Sequence, residues 1–509
     1  MANSRKDGNA LFNFTTTRMT HFRWVVCTLL FFATTVNYLD RQVLSLTWSE
    51  FIAPEFHWND NHYGTITALF SIFYAVSMLF AGRFVDWIGV KKGFLWAIGV
   101  WSVGAMMHAG CGIITAWWVG APGKQALITE TNIAVVGRII MVSVTLFIFS
   151  RFVLAVGESA NFPAVIKATA EFFPKKDRAF AQSIANAGTI AGAMIAPLSI
   201  PVIAYHWGWE TAFILMGVLG FVWMGFWVFL YHKPDNHPKV NQAELAYIRQ
   251  DPGEQRSANL ATRSTKDPHL KQRSAGFASL PEKGKISFGE VFRYRQTWAF
   301  AVGQFMTVGV WWFLLFWAPR YLETNFGIKT SDPQAMLALF VLYSITLLSI
   351  FGGYLPTVFI KKGTDPYLSR MRAMLIFAFF PLLLLFVQPL GVYFNSFWLP
   401  VIIIGIVMAA HQSWIANLFT TVSDMFPQNI IATVSGIGGL AGGIASFAIN
   451  KASGMLFEYA EATQLTFMGF EGKPAGYYII FSICAFVYLA GWVIMRLLNA
   501  SQMQNVPSC

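Results

Sequence analysis

Four charged residues stand in stretches of the sequence where charge is costly. Asp40 and Arg41 lie in the apolar run Trp24–Trp48, and Arg151 and Glu158 lie in a later apolar run. At about 1.5 Å per residue, a helix over Trp24–Trp48 is long enough to cross a bilayer. Ionisable side chains at membrane depth face a water-filled cavity and mark the path of ions, protons or charged solutes. We predict that the four charges line one central cavity, bind a carboxylate-bearing solute and couple its passage to protons.

The spacing of the second pair supports this prediction. Arg151 and Glu158 are seven residues apart, which is two helical turns along one face, and Asn161 lies one turn further. Burial raises the pKa of a carboxyl group and a neighbouring arginine lowers it, so the arrival of an anion could move a proton on or off. The alternative for both pairs of charges is a structural ion pair that holds helices together.

Composition indicates an all-α membrane protein. The 509 residues are 55% hydrophobic and 12% charged, whereas soluble domains are roughly 25% charged. The four cysteines are isolated, and no Cys/His spacing suits a metal, so neither a disulfide framework nor a metal site is expected. No nucleotide-binding loop, GxGxxG or nucleophile elbow occurs. We therefore expect no cofactor, no ATP-driven transport and no enzymatic activity.

Twelve apolar runs, six on each side of a hydrophilic stretch, predict twelve transmembrane helices in two six-helix halves. The runs cover about 22–46, 63–85, 94–114, 133–157, 179–204, 210–231, 298–320, 335–360, 371–391, 396–420, 431–450 and 476–498. The predicted domains are an N-terminal tail (1–21), an N-terminal bundle (22–232), a central loop (233–296), a C-terminal bundle (297–499) and a C-terminal tail (500–509).

Lysine and arginine residues cluster in alternate loops, which places both tails and the central loop in the cytoplasm. The net charge of +11 is then a sign of topology, and no nucleic-acid partner is expected. The polar stretch Thr115–Asn132 is predicted to be an outside insertion. Within the central loop, Asn241–Gln250 is predicted to form a short amphipathic helix, and Ser257–Lys285, which is rich in Ser, Lys and Pro, is predicted to be mobile.

Motifs repeat between the halves. Gly82-x8-Lys91-Lys92-Gly93 recurs as Gly352-x8-Lys361-Lys362-Gly363, and Glu171-Phe-Phe-Pro174 recurs as Asp424-Met-Phe-Pro427. Gly188-x3-Gly192 and Gly439-x3-Gly443 predict close packing of the fifth and eleventh spans. Parallel halves with a site between them are a common transporter architecture.

These motifs resemble those of a known family. The segment with Gly82, Asp86, Gly89, Lys91 and Lys92 is similar to the loop between the second and third helices of the major facilitator superfamily, where it latches the cytoplasmic gate. The segments Asn37–Arg41, with Tyr74, and Arg151–Pro163 look like the anion:cation symporter branch. The segment His411–Pro427 is similar to the hexuronate transporters of that branch.

The resemblance implies roles for individual residues. Arg41 would bind the substrate carboxylate with its two-pronged guanidinium group, and Tyr38 and Tyr74 would donate hydrogen bonds. Asp40 and Glu158 would be the protonatable pair, with Arg151 as their neighbour. Further substrate contacts are expected from Asn161, Thr189, Gln304, Trp311, His411, Gln412, Trp414 and Asn417. For His411 and for Trp311 or Trp312, simple packing inside the protein or against lipid is the alternative.

The resemblance therefore implies a proton-coupled symporter that imports a hexuronate, such as galacturonate or glucuronate, or a related sugar acid by alternating access. The alternative is a facilitator or exchanger for another organic anion, such as an aldonate, a dicarboxylate or an aromatic acid. The expected partners are a small organic anion, protons and the lipid bilayer. A monomer in a cell membrane, most simply a bacterial inner membrane, is expected.

Overall fold

Long helices make up most of the chain. The computed structural model describes residues 19–250, 291–426 and 428–499. The long helices are α1 (Arg23–Thr47), α2 (Asp60–Ile88), α3 (Val90–Val119), α4 (Ile133–Ser159), α5 (Lys175–Trp207), α6 (Trp209–Leu230), α7 (Arg295–Phe326), α8 (Pro333–Ile345), α9 (Pro366–Phe379), α10 (Trp398–Met425), α11 (Gln428–Thr463) and α12 (Lys473–Asn499). Every predicted apolar run lies in one of these helices or its direct continuation, to within two residues.

Shorter elements continue or connect the long helices. A π-helical turn Trp48–Ile52 and the helix Ala53–Phe56 follow α1, and the helices Lys124–Ile128, Asn161–Phe172 and Gln242–Ile248 follow α3, α4 and α6. Helix α8 continues as 3-10 turns (Thr346–Gly353) and a helix (Leu355–Lys361), and α9 as 3-10 turns (Phe380–Phe386) and a helix (Val387–Tyr393). The strands Thr466–Phe467 and Phe470–Glu471 form a small antiparallel hairpin before α12.

The prediction of an all-α, multi-pass membrane protein is confirmed. Within the described residues, ten helical segments are long and apolar enough to cross a bilayer. Helices α1 and α11 are outside that set, although they are 25 and 36 residues long. The count of twelve spans and the side on which the termini lie stay predictions.

The repeated motifs differ in how closely their backbones agree. Phe173 and Phe426 both end a helix in an extended conformation, as the Phe-Pro repeat predicts. The lysine repeat is not equivalent: Lys91 and Lys92 lie in the first turn of α3, whereas Lys361 ends a helix. The turn glycine with φ near +80° is Gly89 in one half and Gly363 in the other.

Glycines on α5 and α11 allow the close packing that their spacing predicts. A Cβ atom on Gly188 would lie 2.2 Å from the Phe31 carbonyl oxygen, and one on Gly192 would lie 2.9 Å from the Cβ of Tyr38. Helix α5 therefore packs directly against α1 at Phe31 and at Tyr38, next to Asp40 and Arg41. On α11, a Cβ atom on Gly443 would lie 2.1 Å from the Cβ of Ala75, which brings α11 against α2.

Polar contacts join the two halves at one end of the bundle, which we call the Asp60 end. Asp60, at the start of α2, accepts from Arg320 Nε at 3.1 Å and pairs with Lys473 Nζ at 2.8 Å. Lys451 Nζ donates to Asn61 Oδ1 at 2.7 Å, and Ser331 Oγ donates to a Glu50 carboxylate oxygen at 2.5 Å. The opposite end, where α3 begins, is called the Lys91 end.

The predicted insertion Thr115–Asn132 is not simply a polar loop. Helix α3 continues through Val119, and the chain turns at Gly120 with φ +75°. Leu127 is fully buried, His57 bonds to the Leu127 carbonyl oxygen, and Lys124 forms an ion pair with Glu210. Helix α3 thus takes in the first residues of this stretch, with Thr115 and Ala116 buried in its packing; that the stretch is an insertion on the outer side stays a prediction.

The predicted helix in the central loop is present as Gln242–Ile248, with the Asn241 side chain capping its first turn. Its Glu244 is fully buried and accepts hydrogen bonds from the backbone N–H groups of Phe22 and Arg23. Thr20 and the Arg23 guanidinium also donate to this carboxylate. The helix therefore fastens the loop to the start of α1; Ser257–Lys285 lies outside the described residues.

Glu244→Gln is expected to lower the melting temperature. Burial acts to raise the pKa of Glu244, but its donors from Thr20, Arg23 and Phe22 outweigh burial and hold the pKa below its usual value. A lowered folded-state pKa stabilises the protein above the usual glutamate pKa of about 4.3, and this stabilisation is lost as the pH falls towards the folded value. Substitution should cost about 1–3 kcal/mol at neutral pH.

Thermal unfolding in detergent at pH 7 and pH 4 measures this effect. The difference between Glu244→Gln and the parent should be larger at pH 7 than at pH 4. The exposed Glu471→Gln is the matched control and should melt with the parent at both values. Equal melting of Glu244→Gln and the parent at pH 7 would contradict the fastening role.

Candidate functional site

Two helices of the first half bring the four charges together. Helix α1 carries Asp40 and Arg41, and α4 carries Arg151 and Glu158 two turns apart on one face. All four are buried, with exposed fractions of 0%, 2%, 3% and 0% in that order. Helix α4 ends one residue after Glu158, and the following helix begins at Asn161, which is also fully buried. The structure therefore brings the four charges together; that they line a water-filled cavity stays a prediction.

Arg41 and Glu158 form the central ion pair. The Arg41 Nε atom donates to Glu158 Oε2 at 3.0 Å, and a terminal guanidinium nitrogen donates to the same oxygen at 2.6 Å. Glu158 Oε1 is buried and has no hydrogen-bond partner within the described residues. The guanidinium group therefore uses only one oxygen of the carboxylate, although its shape suits two.

Aromatic rings enclose the Arg41 guanidinium group. Its central carbon lies 4.7 Å from the ring centroid of Trp312, 4.8 Å from Tyr74 and 5.1 Å from Tyr38, and 5.8 Å from Phe70. Cation–π attraction contributes about 2 kcal/mol or more per contact when water is excluded. Trp312 belongs to the second half, so these four rings, which we call the Arg41 pocket, come from both halves.

Other polar groups near the ion pair lack partners. Both Asp40 carboxylate oxygens and both amide atoms of Asn37 and Asn161 make no hydrogen bond within the described residues. Asp40 is close enough to Glu158, Arg151 and Arg41 for direct charge–charge interaction. Two acids and two arginines balance to zero when all are ionised. The cluster therefore has no spare charge with which to neutralise an added anion.

One face of α7 meets the first half. Trp312 contacts Tyr74 and Arg41. The backbone carbonyl oxygen of Phe316 accepts a hydrogen bond from the Tyr63 hydroxyl at 2.8 Å. Arg320 donates to Asp60. These three α7 residues follow an i, i+4, i+8 spacing, which marks one side of a helix. The sequence predicts that Gln304, Trp311 and Trp312 all face the site, with Trp311 as the contact because it lies two turns from Gln304; the ring beside Arg41 is that of Trp312. The spacing to Arg320 is the signal that identifies Trp312.

Trp311 instead packs within the second half. Its ring stacks on His411 at a centroid distance of 5.2 Å, and His411 Nδ1 lies 2.6 Å from the Tyr488 hydroxyl. Trp414 is fully buried edge-on against Tyr488. Asn417 donates to the Ser413 carbonyl oxygen at 2.7 Å, which occupies part of its hydrogen-bonding capacity.

The remaining predicted contacts are spread over three helices. Gln304 is buried on α7, and its amide nitrogen has no partner within the described part of the chain. Gln412 is half-buried on α10. Thr189 is half-buried on α5 and donates to the Asn186 carbonyl oxygen at 2.7 Å. Trp414, Asn417 and Thr189 therefore show packing or local contacts, whereas Tyr38 and Tyr74 surround Arg41.

The predicted gate motif lies at the Lys91 end. Gly89 forms the turn between α2 and α3, and Lys91 Nζ lies 3.3 Å from His232 Nε2. Lys167 Nζ donates to the Val85 carbonyl oxygen at 3.3 Å, and Lys92 is exposed. Gly82 has free space around it, and the Asp86 side chain lies outside the described residues. In the described chain, no group of three acids, histidines or cysteines could hold a metal.

Comparison with known proteins agrees with this architecture. A family model described as Major Facilitator Superfamily matches residues 30–449. The Hexuronate transporter of Escherichia coli (strain K12) is 27% identical over 428 residues, covering 83% of this chain and 85% of that protein. The Probable galactarate/D-glucarate transporter GarP of the same strain is 27% identical over 432 residues, covering 84% and 86%.

A solved structure has the same fold. A bacterial homolog to the human lysosomal transporter Spinster, in an inward-facing and occupied conformation, superposes with a TM-score of 0.64 at 16% identity, covering 96% of this chain and 99% of that one. The motif resemblance to the major facilitator superfamily is confirmed by the family model, which matches residues 30–449. Since the family model spans well over half of the sequence, the chain belongs to the major facilitator superfamily, whose members are membrane transporters rather than enzymes.

Proposed function

We propose that the protein is a proton-coupled symporter that imports a hexuronate or a related sugar acid. The observation that carries this proposal is the buried Arg41–Glu158 pair, enclosed by aromatic rings from both halves. Arginine binds carboxylates with paired hydrogen bonds, and an aromatic surround suits a sugar ring. The names of the E. coli relatives, for hexuronates and for galactarate or glucarate, support an acidic sugar substrate.

Coupling follows from the balance of charge. A substrate carboxylate competes with Glu158 for the Arg41 guanidinium group, because both are carboxylates. Its arrival would leave one uncompensated negative charge among four charges that otherwise cancel, and a buried unpaired charge is costly. Uptake of one proton by Glu158 or Asp40 restores neutrality. Arg151 keeps the second acid balanced while the first is protonated.

Alternating access requires the halves to separate at one end and close at the other. Asp60 with Arg320 and Lys473, and Glu50 with Ser331, hold the Asp60 end closed. We infer from the lysine and arginine distribution that this end faces outward and the Lys91 end faces the cytoplasm. Substrate would then leave towards Lys91 and Lys92 when the site opens.

The second half is proposed to hold the sugar hydroxyl groups. Gln304, Gln412 and His411 offer polar groups on α7 and α10, and Trp312 offers a ring face next to Arg41. A hydroxyl group placed between them would pair with the buried Gln304 amide. Trp311 acts indirectly by fixing the His411 ring through stacking.

Uptake into proteoliposomes tests the proposal. An inward proton gradient is expected to drive accumulation of radiolabelled glucuronate or galacturonate above the external concentration, and a protonophore should abolish it. Galactarate, an aldonate and an aromatic acid form the competition panel. Accumulation unaffected by the protonophore would contradict proton coupling, and failure of every uronate to compete would contradict the substrate class.

A further inference from the structure

An apolar groove opens on the surface of the first half, away from the Arg41 pocket. It lies between α3, α4 and α6 and has a volume of about 450 Å³, within the roughly 300–1,000 Å³ range of small-molecule sites. Apolar side chains and one glycine form its walls, among them Trp96, Gly99, Val103, Phe221 and Met224. Trp96, Val103 and Phe221 are 63%, 47% and 40% exposed, so the groove faces the surrounding membrane.

Gly99 creates the depth of the groove. A Cβ atom there would meet only the Met224 side chain, at 3.6 Å, which is ordinary van der Waals contact. By contrast, a Cβ atom on Gly104, one turn and a half further along α3, would lie 2.6 Å from the Leu154 backbone. Helix α3 therefore packs tightly at Gly104 and leaves free space at Gly99.

Positive charges lie at one end of the groove. Lys92, Trp96, Gly99 and Val103 share one face of α3 by their i, i+4, i+7, i+11 spacing. Lys92 is exposed one turn before Trp96. The face of α3 that lines the groove therefore carries Lys92 at its Lys91 end.

The end of α6 adds further positive charge at the same place. Trp227 Nε1 donates to the Lys91 carbonyl oxygen at 3.3 Å, and Lys91 Nζ lies 3.3 Å from His232 Nε2. Lys233 follows His232 and is exposed. The last turn of α6 and the first turn of α3 therefore meet where the groove ends, with Lys91, Lys92 and Lys233 around that meeting point.

The dimensions fit one leaflet. From Lys92 to Val103, α3 rises about 16 Å at about 1.5 Å per residue. The hydrocarbon core of a bilayer is about 30 Å thick, so one leaflet is about half of that. A lipid whose phosphate lies at the lysines would place its chain along the groove from Trp96 to Val103.

We propose that this groove binds one acyl chain of an anionic phospholipid, with the headgroup phosphate among Lys92, Lys233 and Lys91. The apolar walls select the chain, and the lysines select the negative headgroup over a zwitterionic one. The site is separate from the Arg41 pocket and does not depend on which anion the protein carries.

A photoactivatable phosphatidylglycerol with a diazirine on its acyl chain tests the proposal in nanodiscs of phosphatidylcholine. Mass spectrometry of the cross-linked peptides should find label concentrated on the segments that contain Trp96–Val103 and Phe221–Met224. Gly99→Leu fills the groove without a backbone collision and should reduce this labelling at least about tenfold. Gly137→Leu, at an exposed α4 position with nothing within 4 Å of its Cβ, is the matched control and should not change it.

The headgroup is tested by Lys92→Gln and Lys233→Gln. Each should weaken labelling about fivefold, because each surface lysine contributes about that factor to binding an anionic lipid. The proposal is overturned if label spreads evenly over the exposed helices, if Gly99→Leu labels like Gly137→Leu, or if a phosphatidylcholine probe labels the groove as strongly. Cross-links between two copies of the chain through this face would also overturn it, since a second protein chain would then cover the groove.

Discussion

In proteoliposomes with an inward proton gradient, Arg41→Ala is expected to reduce hexuronate uptake about 100-fold or more. Removing one member of a buried ion pair costs about 3–5 kcal/mol, and the substrate carboxylate loses its partner as well. The 2.6 Å contact to Glu158 and the contacts with four surrounding rings are made by the Arg41 guanidinium group, and the substitution removes all of them. Initial rates at several substrate concentrations measure the loss.

Arg41→Lys separates charge from shape. A lysine keeps the positive charge but cannot form the paired hydrogen bonds of a guanidinium group, so uptake should remain far below the parent. Arg138→Ala, at an exposed position on α4, is the control for expression and reconstitution. If Arg41→Ala takes up substrate as fast as Arg138→Ala, Arg41 does not bind the substrate.

Glu158→Gln is expected to abolish proton-driven accumulation while preserving exchange. Glutamine keeps an oxygen that accepts from Arg41 but cannot bind and release a proton, so the internal and external substrate concentrations should become equal. Counterflow, in which substrate exchanges without net proton movement, should persist and lose its dependence on pH. Parallel measurements of accumulation and counterflow distinguish coupling from binding.

Asp40→Asn is the informative comparison for this experiment, because Asp40 is the other buried acid of the cluster. Glu471→Gln, at an exposed position before α12, should behave as the parent. Should Glu158→Gln still accumulate substrate, the coupling proton does not reside on Glu158. Loss of counterflow as well would assign Glu158 to the structure of the site instead of to coupling.

Much of the fold was predictable because membrane helices must satisfy their own backbone hydrogen bonds and must be apolar. The twelve apolar runs therefore coincide with helices. The clustering of Arg41 with Glu158 followed from the cost of charge at membrane depth, since each charge needs a partner. The i, i+4 contacts of Gly188 and Gly192 with α1 followed from the small-residue spacing.

Other features depend on three-dimensional packing that spacing does not fix. Trp311 and Trp312 are adjacent in sequence, yet one stacks on His411 and the other covers Arg41. The choice depends on the rotation of α7 between the two halves. The end of α3 was also not predicted: the helix runs past residue 114 to Val119, because Thr115 and Ala116 are buried in its packing.

The four buried charges of the candidate site belong to α1 and α4, whereas the second half contributes aromatic rings and neutral polar groups. Under the proposed mechanism, the groups that couple the solute to a proton therefore lie in the first half of the chain, and the groups proposed to distinguish one solute from another lie largely in the second half. Substitutions in α7 and α10 could therefore change the preferred solute of such a carrier during evolution while the proton-coupling groups in α1 and α4 stay unchanged.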